Sequence, residues 1–335
     1  MKALVTGAAG FIGSNVVRAL LEDGWDVRAM HLAREDVRNL RGLEAERIAG
    51  DVTDKDSLRN AMKGCEVVFH LAAVYALWTP DRDGRRMRDV NVGGTKNVLD
   101  VAREQGVRRV VHTSSIARFG GQGMRHRATE KSGFALASTG DRYSRTKADA
   151  HEIAVSAAKD QDVVIVAPCG PIGPGDVGPT PTGRLLLSAL RMPFAIVAPT
   201  VTTFADVRDM ARGHVLAAER GKRGETYLLG TEDLSVKDVA HIAMDIMGMK
   251  KPIVNAPFGL ASIAAHGAKA WADRVSRRPP LFTPEAIRIA RLGLRADCSK
   301  AVRELGVPQS SVRDAIRDAI EWFIREGYAR KPKPN

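Results

Sequence analysis

Lys2-Ala3-Leu4-Val5-Thr6-Gly7-Ala8-Ala9-Gly10-Phe11-Ile12-Gly13 is a short apolar run followed by glycines three apart, and Val17, Leu20 and Leu21 continue it at helical spacing. Strand, tight turn and helix start, in that order, are the context in which a glycine triplet holds a dinucleotide rather than merely turning the chain. Gly7 permits the turn, Gly10 lets a pyrophosphate approach the backbone, and Gly13 lets the helix pack close to the strand. Phosphates would rest on the helix N-terminus, where free N–H groups and the dipole favour anions.

Strand-like runs recur near residues 26–30, 45–49, 66–71, 108–113 and 162–167, with helical patterns between them. That alternation predicts an α/β fold, a Rossmann-type doubly wound parallel sheet with helices on both faces. The fifth strand ends in Thr113-Ser114-Ser115, at the carboxyl edge where ligands bind in open sheets. From Pro168 to Pro181 the chain is too rich in proline and glycine for a helix or a central strand, and predicts a long functional loop or lid. Helix signals follow at 183–191 and 206–220, a short strand at 225–229, a helix opened by Ser235 with Asp238 three residues on, and another opened by Thr283-Pro284-Glu285. These pieces do not repeat the first half. The predicted organisation is a dinucleotide-binding domain over 1–168, a smaller substrate-binding lobe over 169–330 with some segments returning to the core, and a basic tail at 331–335.

A chain of 335 residues can bury one large core or two lobes sharing a cleft. The longest apolar runs are strand-sized and the N-terminus is itself a core strand, which leaves no signal peptide or spanning helix and predicts a cytoplasmic location. Cys65, Cys169 and Cys298 are odd in number and lack ligand spacing, which suits a reducing compartment and predicts no metal site. The net charge of +12, densest at Arg82 to Arg88 and in the tail, suits an anionic partner. No nucleic-acid motif accompanies it and aromatic residues are 5%, so stacking platforms for bases are not expected. A solvated basic surface or peripheral contact with anionic lipid at the inner face of a membrane are the two remaining readings. Residues 257–275 bear on the second, because Leu260, Ile263, Gly267, Trp271 and Val275 fall at near-helical spacing; such a stripe packs against the body, lines a greasy entrance or touches a bilayer.

Tyr143-Ser144-Arg145-Thr146-Lys147 places a phenol and an ammonium at i and i+4 of a predicted helix, where both heads can converge on one atom. An unperturbed tyrosine has a pKa of about 10, and a nearby cation favours its phenolate. With the glycine turn and the serines, this pair makes the chain resemble the extended short-chain dehydrogenase/reductase family, within the NAD-dependent epimerase/dehydratase superfamily. The likeness covers most of the chain. Further matching segments are Gly50-Asp51-Val52, His70-Leu71-Ala72-Ala73, Asn91 to Thr95 and Phe204 to Asp209. Tyr75-Ala76-Leu77-Trp78 and the loop Gly173 to Gly183 look most like the branch of hopanoid-associated sugar epimerases, dihydroflavonol reductases and 3β-hydroxysteroid dehydrogenases.

That resemblance implies Tyr143 as acid/base, Lys147 as its partner and a ligand of the nicotinamide ribose, and Ser115 as the hydroxyl bonding the substrate oxygen, with Ser114 the lesser choice. It implies Gly7, Gly10, Phe11, Ile12 and Gly13 around the pyrophosphate, Asp51 and Val52 at the adenine, Leu71, Ala72 and Ala73 on the adenosine side, and Pro168 and Gly170 beside the nicotinamide. Relatives often pair through the helix carrying the tyrosine, so a homodimer is expected.

An NAD enzyme of this fold usually ends its second strand with an acid that bonds the adenosine ribose. Here the position is His31, no carboxylate follows until Glu35, and Arg28 and Arg34 flank it, so NADP(H) is the expected cofactor and NAD(H) the alternative. Three functions fit. The first is an NADP(H)-dependent ketoreductase or alcohol dehydrogenase acting on a hydrophobic small molecule such as an oxo-lipid, sterol or aryl ketone, with Leu185 to Leu190 and Phe194 to Val197 as apolar lid elements. The second is an NAD-retaining nucleotide-sugar epimerase or dehydratase, and the third a non-catalytic cofactor-binding scaffold. His70 and His112 read as structural, Trp78 as either a pocket residue or a loop anchor, and Asp206 and Asp209 as fixing a helix entry.

Overall fold

The computed structural model describes residues 1–76, 78, 84–192, 195–278, 280 and 282–330. Parts of several expectations, including Arg82, Leu77, Phe194 and the tail 331–335, lie outside the described residues.

Seven parallel strands form the central sheet: β1 (Lys2–Thr6), β2 (Asp26–His31), β3 (Glu46–Ala49), β4 (Val67–His70), β5 (Arg109–Thr113), β6 (Val163–Pro168) and, after three strands that lie outside it, β10 (Thr226–Leu229). Their order is β10-β6-β5-β4-β1-β2-β3, and every pairing is parallel. Such a sheet is covered on both sides, so its strands need apolar residues on both; β4 and β6 are buried at every position. Successive residues divide between two cores. Ala3 and Val5 face the helices Phe11–Glu22 and Val207–Arg220, while Leu4 faces Lys55–Met62 and Gly94–Glu104. The strand order reverses between β1 and β4, and the crevice at their carboxyl ends is where the glycine turn and residues 71–73 meet.

The other five strands lie outside that sheet: β7 (Gly170–Ile172), β8 (Ala195–Val197), β9 (Val201–Asp206), β11 (Glu232–Ser235) and β12 (Ile253–Asn255). They make a three-stranded sheet β11-β9-β7 and a two-stranded sheet β12-β8. A strand inside the proline-rich stretch was not expected; β7 is tolerated there because it lies at a sheet edge, where proline leaves no central ladder bond unmade. Ser235 and Asp238 form the reciprocal capping box, and Thr283 accepts the Ala286 N–H with Pro284 in the first turn. Asp206 caps the helix Val207–Arg220, and Asp209 accepts from the Ser310 N–H and hydroxyl.

One reading of an apolar segment needs correction, and another that the sequence leaves open is narrowed. Leu186, Leu187 and Leu190 are buried against Ile316, Ile320 and Phe323 of the helix Val312–Arg325, so they are core and not lid. Conversely, the stripe on the helix Phe258–Trp271 does not pack inward: Leu260, Ile263 and Trp271 are 67%, 72% and 62% exposed. No helix among the described residues is long and apolar enough to cross a membrane.

Candidate active site

The glycine turn is built as its spacing predicts. Gly7 has φ +68°, a left-handed value that favours glycine, and a Cβ there would lie 2.8 Å from Ala72 N and Cα. A Cβ on Gly13 would lie 2.1 Å from Gly7 O, so helix and turn touch at backbone level. Gly10 caps the helix without any side-chain hydrogen bond, which leaves the first-turn N–H groups facing the crevice without a side-chain acceptor.

One hydrogen-bonded chain ties this turn to the end of β4. Thr95 Oγ1 donates to Asn91 O at 2.7 Å, so it accepts from His70 Nε2 at 3.0 Å. His70 Nδ1 then accepts from Thr6 Oγ1 at 2.9 Å, and that oxygen receives the Leu71 and Ala72 N–H groups, both at 3.2 Å. His70 is therefore the neutral Nε2–H tautomer, and burial with the Lys147 charge holds its pKa down at about 3. His112 packs beside it at 5.5 Å between ring centroids and is likewise kept neutral, chiefly by burial. Neither histidine is placed to act as a base.

Asn91 extends the support. It accepts the Val74 N–H at 2.7 Å and donates to Val74 O and Thr146 Oγ1, both at 3.0 Å, joining the loop after β4 to the helix Arg142–Ala157. Tyr75, the next residue, lays its ring against Tyr143 with centroids 4.5 Å apart. Asn91 was visible in the sequence only through the matching segment Asn91 to Thr95, and it sits in the π-helical turn Asp89–Gly93. Tyr75 was visible only as part of a matching segment.

Asp141 caps the helix Arg142–Ala157 by accepting the Ser144 N–H at 2.7 Å, which puts Tyr143 in its first turn and Lys147 one turn deeper. Lys147 is 6% exposed and donates to Thr113 O, at the carboxyl end of β5, at 2.8 Å. Burial lowers its pKa from 10.5 to about 8. Tyr143 is half-buried at the crevice, and desolvation raises its pKa to about 12, opposed by the Ser115 hydroxyl as a hydrogen-bond partner. A phenolate favoured by Lys147 is the sequence expectation; instead burial dominates and keeps Tyr143 a phenol, while the Lys147 ammonium is bonded to Thr113 O. Ser115 is half-buried and extended, whereas Ser114 is 2% exposed with its hydroxyl unpartnered among the described residues. The geometry therefore brings Ser115, not Ser114, to Tyr143.

The loop after Pro168 folds back over the turn. Asn15 Nδ2 donates to Phe11 O at 2.9 Å and Pro174 O at 3.2 Å, and Asn39 Nδ2 donates to Gly175 O at 2.7 Å and Ala9 O at 3.3 Å. Cys169, between Pro168 and Gly170, bonds Leu229 O through its N–H at 2.9 Å. Inside the loop the Asp176 carboxylate accepts the Thr180 N–H and hydroxyl, and burial raises its pKa to about 6. Asp51 and Val52 follow β3; the Asp51 carboxylate accepts from Thr53, and Val52 packs under Gly94.

His31 closes β2, with Nδ1 at 2.9 Å from Leu32 O, and Arg34 is exposed with no hydrogen bond or ion pair among the described residues. Arg28 is not available to a phosphate. It is paired with Glu46 at 2.9 Å and donates to Ala61 O and Lys63 O, three residues back along the strand from His31.

A cavity of about 490 Å³ borders Asp141 at the start of the helix and is lined by Ala76, Trp78, Met87, Lys269 and Glu285, among others. Ser115 and Tyr143 are not in its wall; Tyr75, which lies on the Tyr143 ring, directly precedes the wall residue Ala76 in the chain. Trp78 lines the cavity and also anchors its loop, donating from Nε1 to Asp273 at 2.7 Å.

The sequence profile of the NAD dependent epimerase/dehydratase family matches residues 3–230. A Synechocystis sp. protein provisionally named dihydroflavonol 4-reductase is 39% identical over 335 residues, covering 97% of this chain and 95% of that one. Sterol demethylase protein B of Methylococcus capsulatus is 36% identical over 331 residues, covering 98% and 99%. The crystal structure of gox2253 superposes with a TM-score of 0.85 at 35% identity, covering 98% of this chain and 99% of that one.

Proposed function

The chain belongs to the NAD dependent epimerase/dehydratase family and is an NAD(P)-dependent oxidoreductase of the extended short-chain type, and on that premise we propose that it is an NADP(H)-dependent ketoreductase or alcohol dehydrogenase for a hydrophobic substrate. The observation that carries the reading is the convergence of Ser115, Tyr143 and Lys147 at the carboxyl end of β5, beside the glycine turn.

The cradle fits the cofactor: the Gly7 and Gly13 contacts allow no side chain, and the Gly10 helix start offers uncapped N–H groups to a pyrophosphate. Gly7, Gly10, Phe11, Ile12 and Gly13 would hold the phosphates, with Asp51, Val52 and residues 71–73 around the adenosine and Pro168 and Gly170 near the nicotinamide. Lys147 has three N–H groups and one goes to Thr113 O, so others remain for ribose hydroxyls. When bound, the nicotinamide supplies or accepts the hydride. Ser115 donates to the substrate oxygen, and Tyr143, a phenol at neutral pH, delivers its proton to that oxygen as negative charge grows there. In the oxidative direction the same phenol must first be ionised, which its high pKa disfavours.

The choice of NADP(H) is supported by His31 where an acid would bond the ribose, and by Arg34, whose guanidinium has no partner among the described residues. Names of relatives support the substrate class, because dihydroflavonol and sterol are large, ring-rich molecules. An NAD-retaining epimerase would instead call for a carboxylate at the end of β2.

Titrating NADPH and NADH separately, with the melting shift as readout, tests the cofactor; tighter NADPH binding with free exchange is expected. NAD copurifying in near-stoichiometric amount would favour the epimerase. In a ketone panel, Tyr143→Phe is expected to lose about 10²–10⁴-fold in kcat with cofactor binding kept. Turnover within a few-fold of the parent would remove Tyr143 from the mechanism.

A further inference from the structure

The helix Phe258–Trp271 has one buried residue, Ala265. Its inner side is held by Arg291 over the Phe258 ring at 5.4 Å and by the Lys269–Glu285 ion pair at 2.8 Å. The opposite side carries Leu260, Ile263, Ala264, Gly267, Ala268 and Trp271, one face at helical spacing without a charge, and Val275 continues it at 56% exposure. An apolar face turned to water, rather than isolated exposed residues, marks a place of contact.

Charge indicates what it contacts. Residues 250–278 contain six cations, Lys250, Lys251, Lys269, Arg274, Arg277 and Arg278, against one anion, Asp273. Lys251 is committed to the carbonyls of Ala189, Leu190 and Met192, Lys269 to Glu285, and Asp273 to Trp78. Lys250, Arg274, Arg277 and Arg278 are exposed and have no ion pair among the described residues. Arg277 ends the helical segment at φ 52°, the one left-handed residue other than glycine among those described.

We propose that this face docks the protein onto an anionic lipid bilayer, with Leu260, Ile263 and Trp271 in the headgroup region and the arginines after Asp273 on the lipid phosphates. Shallow apolar side chains, a tryptophan and flanking cations are what an in-plane helix presents to such a surface. A second copy of the chain fits less well, since a two-fold contact sets this cationic segment against itself and offers no acidic partner to Lys250, Arg274, Arg277 or Arg278. His266, Lys269 and Ala270 of the same helix line the cavity beside the start of the helix carrying Tyr143, so docking brings that cavity to the edge of the membrane.

The test uses the full chain in co-sedimentation with vesicles of phosphatidylcholine alone, or with about one third phosphatidylglycerol, at low and high salt. Binding should be at least about tenfold stronger on the anionic vesicles and weaken with salt. Leu260→Glu with Ile263→Glu, and separately Arg274→Glu with Arg277→Glu, should each lower it by about tenfold, while the cofactor-induced melting shift stays that of the parent. Equal sedimentation of parent and variants, or no preference for anionic vesicles, overturns the proposal. So does light scattering that shows a dimer in buffer converted to monomer by the Leu260→Glu pair, which would assign the face to a second copy. If a variant fails to fold, the lipid and salt dependence of the parent decides. No substrate enters this assay, so its result is independent of the turnover experiment.

Discussion

The helices Val312–Arg325 and Phe258–Trp271 are both fourteen residues long and both rich in apolar side chains, yet they have opposite fates. In the first, Arg313, Asp314, Arg317, Asp318, Glu321 and Arg325 define an outer face, and Val312, Ile316, Ala319, Ile320 and Phe323 turn inward to a closed cluster. In the second, Lys269 is the one Lys, Arg, Asp or Glu, so no polar face tells the apolar one where to go. Apolar content does not set burial; the position of the charges opposite does.

The sharpest way to break that comparison is a matched pair of deletions. Ile316 is fully buried among Leu186, Leu187, Leu190 and Phe323, so Ile316→Ala removes contacts and leaves a cavity. It is expected to cost about 2–5 kcal/mol in urea unfolding. A loss under about 1 kcal/mol would mean that this helix is held by its surface charges and not by its core face.

A second contrast lies between this scaffold and the site, where a buried charge is tolerated. Lys147 titrates near 10.5 in the open chain and at about 8 in the folded one. Below about pH 8 both states carry the proton and the fold bears the full cost of the buried ammonium; as pH rises from 8 towards 10.5 the folded state sheds it first and that cost is relieved. Tyr143 acts in the opposite sense only above about pH 10, because its phenol stays protonated in the fold up to about 12. The stability of the parent minus that of Lys147→Met should therefore rise by about 2 kcal/mol between roughly pH 7 and pH 9.5. A flat difference would show that Lys147 reaches water.

These contrasts also mark what the sequence could reveal. The glycine turn and all seven sheet strands were legible, the last of them at 225–229 without its place in the sheet, because each depends on a few consecutive residues, as Gly7 and Gly13 show by their contacts. Edge strands of three residues such as β7 and β12 carry too little periodicity to be seen. Arg28 was misplaced although strand geometry could have excluded it, since three residues before His31 is about 10 Å back along the strand. The spacing of Tyr143 and Lys147 marked the helix face, but not that Lys147 would bond Thr113 O, nor that Tyr75 would lie on Tyr143. The first contact depends on how the helix docks on the end of β5, and the second on the path of the loop after β4, which Asn91 fixes from another element.

The smallest expected effect closes the comparison from its other side. Ile263 is 72% exposed, so Ile263→Ala removes a side chain that already faces water. Its unfolding free energy in buffer should match the parent within about 0.5 kcal/mol, against the several kcal/mol of Ile316→Ala. The same substitution should weaken partition onto anionic vesicles, because apolar area is what the helix offers to lipid. A cost in buffer comparable to that of Ile316→Ala would show that the face is covered by protein in solution, and the contrast between the two helices would disappear.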